Sequence, residues 1–457
     1  MKAIFTLTVL ALIFSFTSAY AQWTSTNLSE AKAQMGSAAH GSKVYFSGGY
    51  GSSGFSDVVE IYSPSTDSWE TNSLSQARSF STAVPVGNKV LFAGGIDYVS
   101  LEEYDVVDIF DTLTQTWEVA NLSKPGFYVQ AVSYQNTALF AGFYDVVTFS
   151  PLNMSFSNVV NIYNATTGTW SVDTLSQARG NMSATVVGDL ALFAGGQTST
   201  STMSKRVDIY NFTTGTWSTA SLSIARGFSA AVTVGNKAIF AGGTTSLNMQ
   251  SNAVDIFDYE TGEWSTATLS APRSFTTKGV AACGKAFFAG GGKLNLPTFS
   301  FNAGSNVIDI YDAESGTWST DTLSRFIVNH SVVATQNQIL IAGGVQFLPT
   351  GASASDLVEI FTCESTGVSQ EPDLSSTDIT LFPNPAGNFL QLVSEGNESG
   401  AFRVEIFDMN GRLVKNGFLQ NSADVIPIDD LNNGGYILKA MNEDQIVLKK
   451  LIKSVSH

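Results

Sequence analysis

The residues with the most regular chemical spacing are cations. Each of seven Leu-Ser pairs is followed, one to three positions on, by Lys32, Arg78, Lys124, Arg179, Arg226, Arg273 and Arg325. A guanidinium is a planar fork of donors that matches carboxylate and sulfate groups. Seven cations around one axis, in a chain of formal charge −16, would form a local positive ring that concentrates anions. Arg78, Arg179, Arg226, Arg273 and Arg325 are therefore candidate ligand-binding residues. A second reading stands beside that one. An acid or amide precedes each of six tryptophans by nine residues (Glu60, Asp108, Asn161, Asp208, Asp255, Asp309), and the cation can instead pair with the acid of a neighbouring unit.

Other chemistry finds fewer residues. His40 and His330 stand eight and thirteen residues before their nearest diglycine, at non-equivalent positions that do not converge on one metal, and no metal or cofactor is expected. Phosphate-cradling loops, nucleophile elbows and zinc spacings are absent from the sequence. An acid/base carboxylate pair stays open, because 39 acidic residues offer many candidates and no spacing selects one. No catalytic residue is assigned. Cys283 and Cys363 fall in turns expected at different radii, which argues against a disulfide.

The elements that must position these groups repeat. Trp23, Trp69, Trp117, Trp170, Trp217, Trp264 and Trp318 recur at 46, 48, 53, 47, 47 and 54 residues, and an aromatic stands seven residues before each from the second onward. A diglycine recurs with the same period, as at Gly94-Gly95 and Gly242-Gly243, with one degenerate copy at Gly142-Phe143. Each unit reads as four short strands, and a period of 40–50 residues is that of a propeller blade. The markers resemble the kelch repeat over residues 22–364, which implies an all-β fold, a seven-bladed kelch-type propeller. The first tryptophan precedes every diglycine and the last unit has none, so the segment from Trp23 to Leu28 is expected to complete the seventh blade and close the ring. Copper enzymes on kelch propellers need two His, two Tyr and a Cys cross-linked to a Tyr, a set this propeller does not offer.

The two ends read as addresses. Lys2, the apolar run Ala3 to Phe16 and Ala19-Tyr20-Ala21 form a signal peptide over residues 1–21. Residues 365–377 are small and polar and read as a linker. Residues 378–457 carry Leu381-Phe382-Pro383-Asn384-Pro385, Val404 to Asp408 followed by Asn410-Gly411, Leu431 to Tyr436 and a basic-apolar end, the pattern of a small β-sandwich. In that order the motifs resemble the type A sorting domain of the type IX secretion system of Bacteroidota. The resemblance implies contact with that machinery and a destination outside the cell or on its surface. Three Asp-Thr-Leu triplets (beginning at Asp111, Asp173 and Asp321) resemble the O-glycosylation acceptor of the same group.

With 23 Lys and Arg against 39 Asp and Glu, nucleic acid is excluded as a partner, and after the signal no apolar run reaches bilayer length. The loops after the diglycines carry Tyr98, Tyr144, Phe299, Phe301 and Phe347, expected on the same face as the cations and suited to sugar or protein. The leading expectation is a secreted or surface propeller that binds a glycan or protein without catalysis. A polysaccharide-processing enzyme and a scaffold in a surface complex are the alternatives.

Overall fold

The computed structural model describes residues 22–149, 152–246, 249–275, 279–295, 300–348 and 351–363 of one compact unit, Met1–Glu364. It describes residues 379–382, 386–394, 402–408, 413–419, 425–441 and 446–454 of a second, Ser365–His457. The signal segment 1–21 and the linker 365–377 lie outside the described residues.

The described residues of the first unit contain no helix and build seven four-stranded antiparallel sheets, the sixth extended by flanking hairpins. The second sheet is typical. Thr82–Val86, Lys89–Ala93, Val106–Asp111 and Thr116–Asn121 pair in sequence order. Lys89–Ala93 is an unbroken apolar run after its lysine because both of its faces meet neighbouring sheets. Thr116–Asn121 is mostly exposed, as the rim strand of a propeller blade must be. In the second to sixth blades an Asp or Asn (Asp111, Asn164, Asn211, Asp258, Asp312) opens the turn before the rim strand. Asp111, for example, accepts the amides of Leu113 and Thr114 at 2.9 and 3.1 Å.

Each hydrophobic core lies between two consecutive blades. Val84, Leu91 and Ile109 of the second blade meet Phe140 and Tyr163 of the third. The same arrangement recurs around the ring until Leu340 and Ile360 of the last blade meet Phe46 and Tyr62 of the first. Each tryptophan faces its aromatic directly across the ladder, as in Tyr62–Trp69 and Tyr163–Trp170 with centroids 4.9 and 4.8 Å apart. Trp23 takes that place in the last blade. Gln22–Asn27 pairs antiparallel with Leu357–Thr362, Trp23 lies opposite Phe361 at 5.3 Å, and its indole N–H donates to Asp321 of the preceding blade at 3.0 Å. Ring closure by the N-terminal strand is therefore as expected. Asp173 likewise accepts the Trp217 indole at 2.9 Å, so two of the three Asp-Thr-Leu triplets supply an anchor for the next blade's tryptophan.

The cysteine expectation needs correction. Cys283 and Cys363 form a disulfide with Cα atoms 6.1 Å apart. Cys283 tips the first hairpin of the sixth blade. Cys363 follows Leu357–Thr362, and the packing of Phe361 on Phe287 at 5.3 Å brings it to the same radius rather than to an outer turn.

The second unit holds two sheets among its described residues. Ile379–Phe382, Phe389–Ser394 and Ile426–Pro427 form one. Leu413–Leu419, Phe402–Asp408, Gly434–Met441 and Ile446–Lys453 form the other. Leu390, Val404, Ile406, Leu438 and Leu451 share one buried core, the alternation expected of a small sandwich. No helix of the described residues is long and apolar enough to cross a membrane.

Candidate ligand-binding site

The chain passes from one blade to the next through the Leu-Ser segment, and a fixed set of contacts holds that passage. The leucine is buried in the inter-blade core. The amides of Ser29, Ser75, Ser123, Ser176, Ser223, Ser270 and Ser324 donate to Glu60, Asp108, Asn161, Asp208, Asp255, Asp309 and Glu359 at 2.8–3.0 Å. Where the acceptor is a carboxylate it also takes a cation, through its other oxygen in the five arginine pairs and through the same Glu60 Oε1 in the Lys32 pair. Arg78 meets Asp108 at 2.7 Å, Arg226 meets Asp255 at 2.7 Å and Arg273 meets Asp309 at 2.5 Å. Arg179 pairs with Asp208. Lys32 and Arg325 reach Glu60 and Glu359 at 3.4 Å. The guanidinium groups also donate to main-chain carbonyls, as Arg78 does to Phe92 at 3.0 Å and to Gly94 at 2.8 Å.

This corrects the reading of the arginines as ligand contacts. Arg78, Arg179 and Arg226 are 0% exposed, Arg273 is 2% and Arg325 8%. Burial pulls all five guanidinium groups below their ordinary range against the opposing pull of the carboxylates, Arg179 down to about 10, which still leaves it charged at neutral pH. They brace the blades from behind the channel wall. The diglycine belongs to the same brace. Gly243 donates to the Arg273 carbonyl at 2.8 Å, and a Cβ on Gly242 (φ +67°) would stand 2.6 Å from that oxygen.

Five residues beyond each of those serines lies a position that sequence reading missed. Gln34, Phe80, Tyr128, Asn181, Phe228, Phe275 and Asn329, one per blade, form a collar at the channel mouth. Six of them hold φ between +50° and +63°. A left-handed conformation costs a non-glycine residue about 1–2 kcal/mol. Their amides step around the ring. Phe80 donates to the Gln34 carbonyl at 2.8 Å, Gln34 to that of Asn329 at 2.9 Å, Phe228 to that of Asn181 at 3.0 Å and Phe275 to that of Phe228 at 2.8 Å. Tyr128 packs on Phe80 with the rings tilted (4.2 Å) and meets Phe228 edge-on across the mouth (6.5 Å). The signal was present as a constant spacing. The cation moves by two positions in the third and seventh units, whereas serine-plus-five does not. It was masked because the residue types vary.

Beneath the collar lies a cavity of about 130 Å³ whose described lining is hydroxyl, amide, small apolar and aromatic. His330 belongs to this lining and is buried rather than placed in the strand interior. Burial, then Arg325, pull its imidazole down to about 3, so it is neutral. His40 sits at the far end of its strand, Gly36–His40, away from it.

The diglycine loops open on the same face, as bridges such as Ser79–Ile96 and Gly227–Thr244 require. They fold as short hairpins. In the first two blades Tyr50, Phe55 and Tyr98 gather with centroids 4.9–5.0 Å apart, and burial with the Tyr50 hydroxyl pushes the Tyr98 phenol up. Ile96, Phe127 and Met154 connect this cluster to Phe80 and Tyr128 of the collar. Phe347 is half-buried in the hairpin Val345–Leu348 and Gly351–Ala354, which joins the sixth sheet through Ile327 and Val328 and lies over Gly304. Of the remaining candidates, Phe299 and the side chains of Tyr144 and Phe301 lie outside the described residues. Sequence reading thus placed Tyr98 on an aromatic surface but missed Tyr50, Phe55 and the collar.

A model of the kelch motif matches residues 31–71 and 225–268, the first and fifth blades, each match running from the brace cation through the tryptophan. A model of the secretion system C-terminal sorting domain matches residues 380–454, within the second unit. No curated protein matches the chain at a significant level. Type IX export to the cell surface or the surrounding medium follows from the sorting domain, and with it a bacterium of the Bacteroidota. The chain thus carries kelch motifs in its first unit, an all-β propeller, and a type IX secretion sorting domain in its second.

Proposed function

We propose that the propeller is a binding module that takes a glycan or protein ligand on the face carrying the diglycine loops. The observation that carries this reading is the aromatic surface running from Tyr50, Phe55 and Tyr98 to the collar at Phe80 and Tyr128. Aromatic rings beside hydroxyl and amide groups suit the mixed apolar and polar faces of sugars and the anchors of protein interfaces. The carboxylates nearest the channel are committed to the brace cations, which leaves them poorly placed to exchange protons with a substrate.

The test is binding of the full chain to a panel of surface polysaccharides and purified surface proteins, repeated with Phe55→Ala and Tyr98→Ala. A specific ligand stabilises the fold by mass action and so raises its melting temperature. A ligand whose affinity falls at least fivefold in these variants supports the reading. A polysaccharide or protein that binds with unchanged affinity in both places the site elsewhere and overturns it. Degradation of a polysaccharide in the same mixtures would assign the face to an enzyme.

A further inference from the structure

We propose that the collar and the cavity beneath it form a pocket for a single neutral sugar ring, presented end-on by a saccharide chain. This rests on the reading of the propeller as a binding module and names the ligand class of that site. Two independent observations carry it.

The first is unmet hydrogen-bonding capacity. Gln34 Oε1, Asn181 Oδ1 and Ser81 Oγ line the cavity and have no protein partner within hydrogen-bonding distance. Asn181 is 3% and Ser81 7% exposed, so bulk water does not serve them freely. A buried polar atom without a partner costs about 1–3 kcal/mol. Two of the three are carbonyl oxygens that can only accept, and the third can do either, so the complementary ligand brings hydroxyl donors. The Asn181 amide is oriented by donation to Gln197 Oε1 at 2.6 Å, which turns its oxygen away from that bond.

The second is strain retained around an aromatic mouth. Phe80, Tyr128 and Phe228 hold left-handed backbone at φ +52° to +53°. Glycine would hold that conformation without strain, yet large rings stand there, and strain of this kind gathers at ligand sites. Their faces offer an apolar surface to the C–H side of a sugar ring, while the orphan acceptors take its hydroxyls. The volume fits one ring. Engineered cavities of about 150 Å³ hold a benzene, and this one has about 130 Å³ below an open mouth.

Charge decides the class. The brace arginines are neutralised by their carboxylates and sealed behind the wall, so even the N–H donors left unpaired on them, such as Arg273 Nη1, are closed to an acidic sugar. An anion would lose hydration without a matching cation.

The experiment is calorimetric titration of the full chain with short neutral oligosaccharides and their parent monosaccharides, with oligogalacturonate and glucosamine oligomers as charged comparators. Gln34→Ala and Tyr128→Leu probe the collar; both residues are half-buried, so folding is checked by melting. Tyr98→Ala probes the outer aromatic surface. The expected result is that a neutral monosaccharide binds and loses five- to tenfold in affinity in each collar variant but not in Tyr98→Ala. A preference for the acidic or the amine-bearing oligomer overturns the proposal, and so does monosaccharide binding that ignores the collar variants. If oligosaccharides bind and respond only to Tyr98→Ala, the pocket is refuted while the wider binding reading survives. If no saccharide binds, the pocket is refuted, and the wider reading rests on protein ligands and their response to Tyr98→Ala.

Discussion

The Arg226–Asp255 pair tests whether the recurrent cations are braces. Arg226 Nη1 lies 2.7 Å from Asp255, its Nη2 donates to the Phe240 carbonyl at 3.0 Å, and Asp255 accepts the Ser223 amide at 2.8 Å and hydroxyl at 3.1 Å. Asp255→Leu leaves a buried charge with no counterion, a change that costs about 3–5 kcal/mol. Arg226→Met leaves the carboxylate stranded with a similar penalty. For a unit spanning residues 22–364, an unfolding entropy of about 2.1 cal/mol/K per residue gives roughly 0.7 kcal/mol/K, so each single change lowers Tm by about 4–7 °C. The double variant removes both charges and leaves neutral groups, the Ser223 donors and the Phe240 carbonyl, without those partners, at about 1–3 kcal/mol, or roughly 1–4 °C. The expected double-mutant cycle is therefore strongly non-additive, with the double variant more stable than either single one. Thermal melts of the four proteins at pH 7 decide it. Additive losses would refute the brace. So would an Arg226→Met protein that melts like the wild type but no longer binds its ligand.

Three further outcomes follow from the same geometry. His330 titrates near 6.5 when unfolded and is pulled down to about 3 when folded, so between those values the unfolded chain binds the extra proton and stability falls as pH drops. At pH 5 the loss is about 2 kcal/mol relative to pH 7, and denaturant melts should show it in the wild type but not in His330→Gln; parallel pH profiles would contradict it. Deleting residues 22–30 removes the closing strand, Trp23 and the Ser29 link to Glu60, and should lower Tm by at least about 5 °C; an unchanged Tm would mean that the ring closes without this strand. The Cys283–Cys363 bridge spans 80 residues, and loop entropy sets its contribution at up to about 4.5 kcal/mol. A melt with and without reductant, or of Cys283→Ser, should show a drop of several degrees, and the absence of any drop would show that the bridge adds no stability.

Much of the architecture was legible because repetition turned weak local signals into a strong one. No single diglycine or tryptophan identifies a blade, but Trp23 standing ahead of every diglycine could mean only that the first strand completes the last blade. The cation was legible as a position and misleading as a role. Its charge pointed to a ligand, while its burial depends on an acid about 30 residues downstream that only the folded sheet brings to 2.7 Å in Arg78–Asp108. The disulfide escaped for the same reason, since blade-on-blade packing sets the radius of Cys363.

The collar was hidden more deeply. Its residues share a backbone conformation rather than a side-chain type, and φ is not written in composition. Asn181 tolerates φ +50° readily, but Phe80 and Phe228 do not, so at those two positions the chain holds a strained ring where a glycine would relieve the strain. The brace makes that possible. Serine amide, acid and buried cation fix the passage from five to two residues before the collar in five blades, and the collar amide is fixed in turn by its neighbour's carbonyl, as Phe80 is by Gln34 at 2.8 Å. Pinned on both sides, the collar residue has no freedom to relax, and its side chain is held at the channel mouth. The buried charges and the proposed ligand surface are thus two parts of one device. Weakening a brace arginine should loosen the collar in its own blade before it unfolds the ring, and hydrogen exchange at the Phe228 amide in Arg226→Met, compared with the Phe80 amide in the same protein, would register that difference.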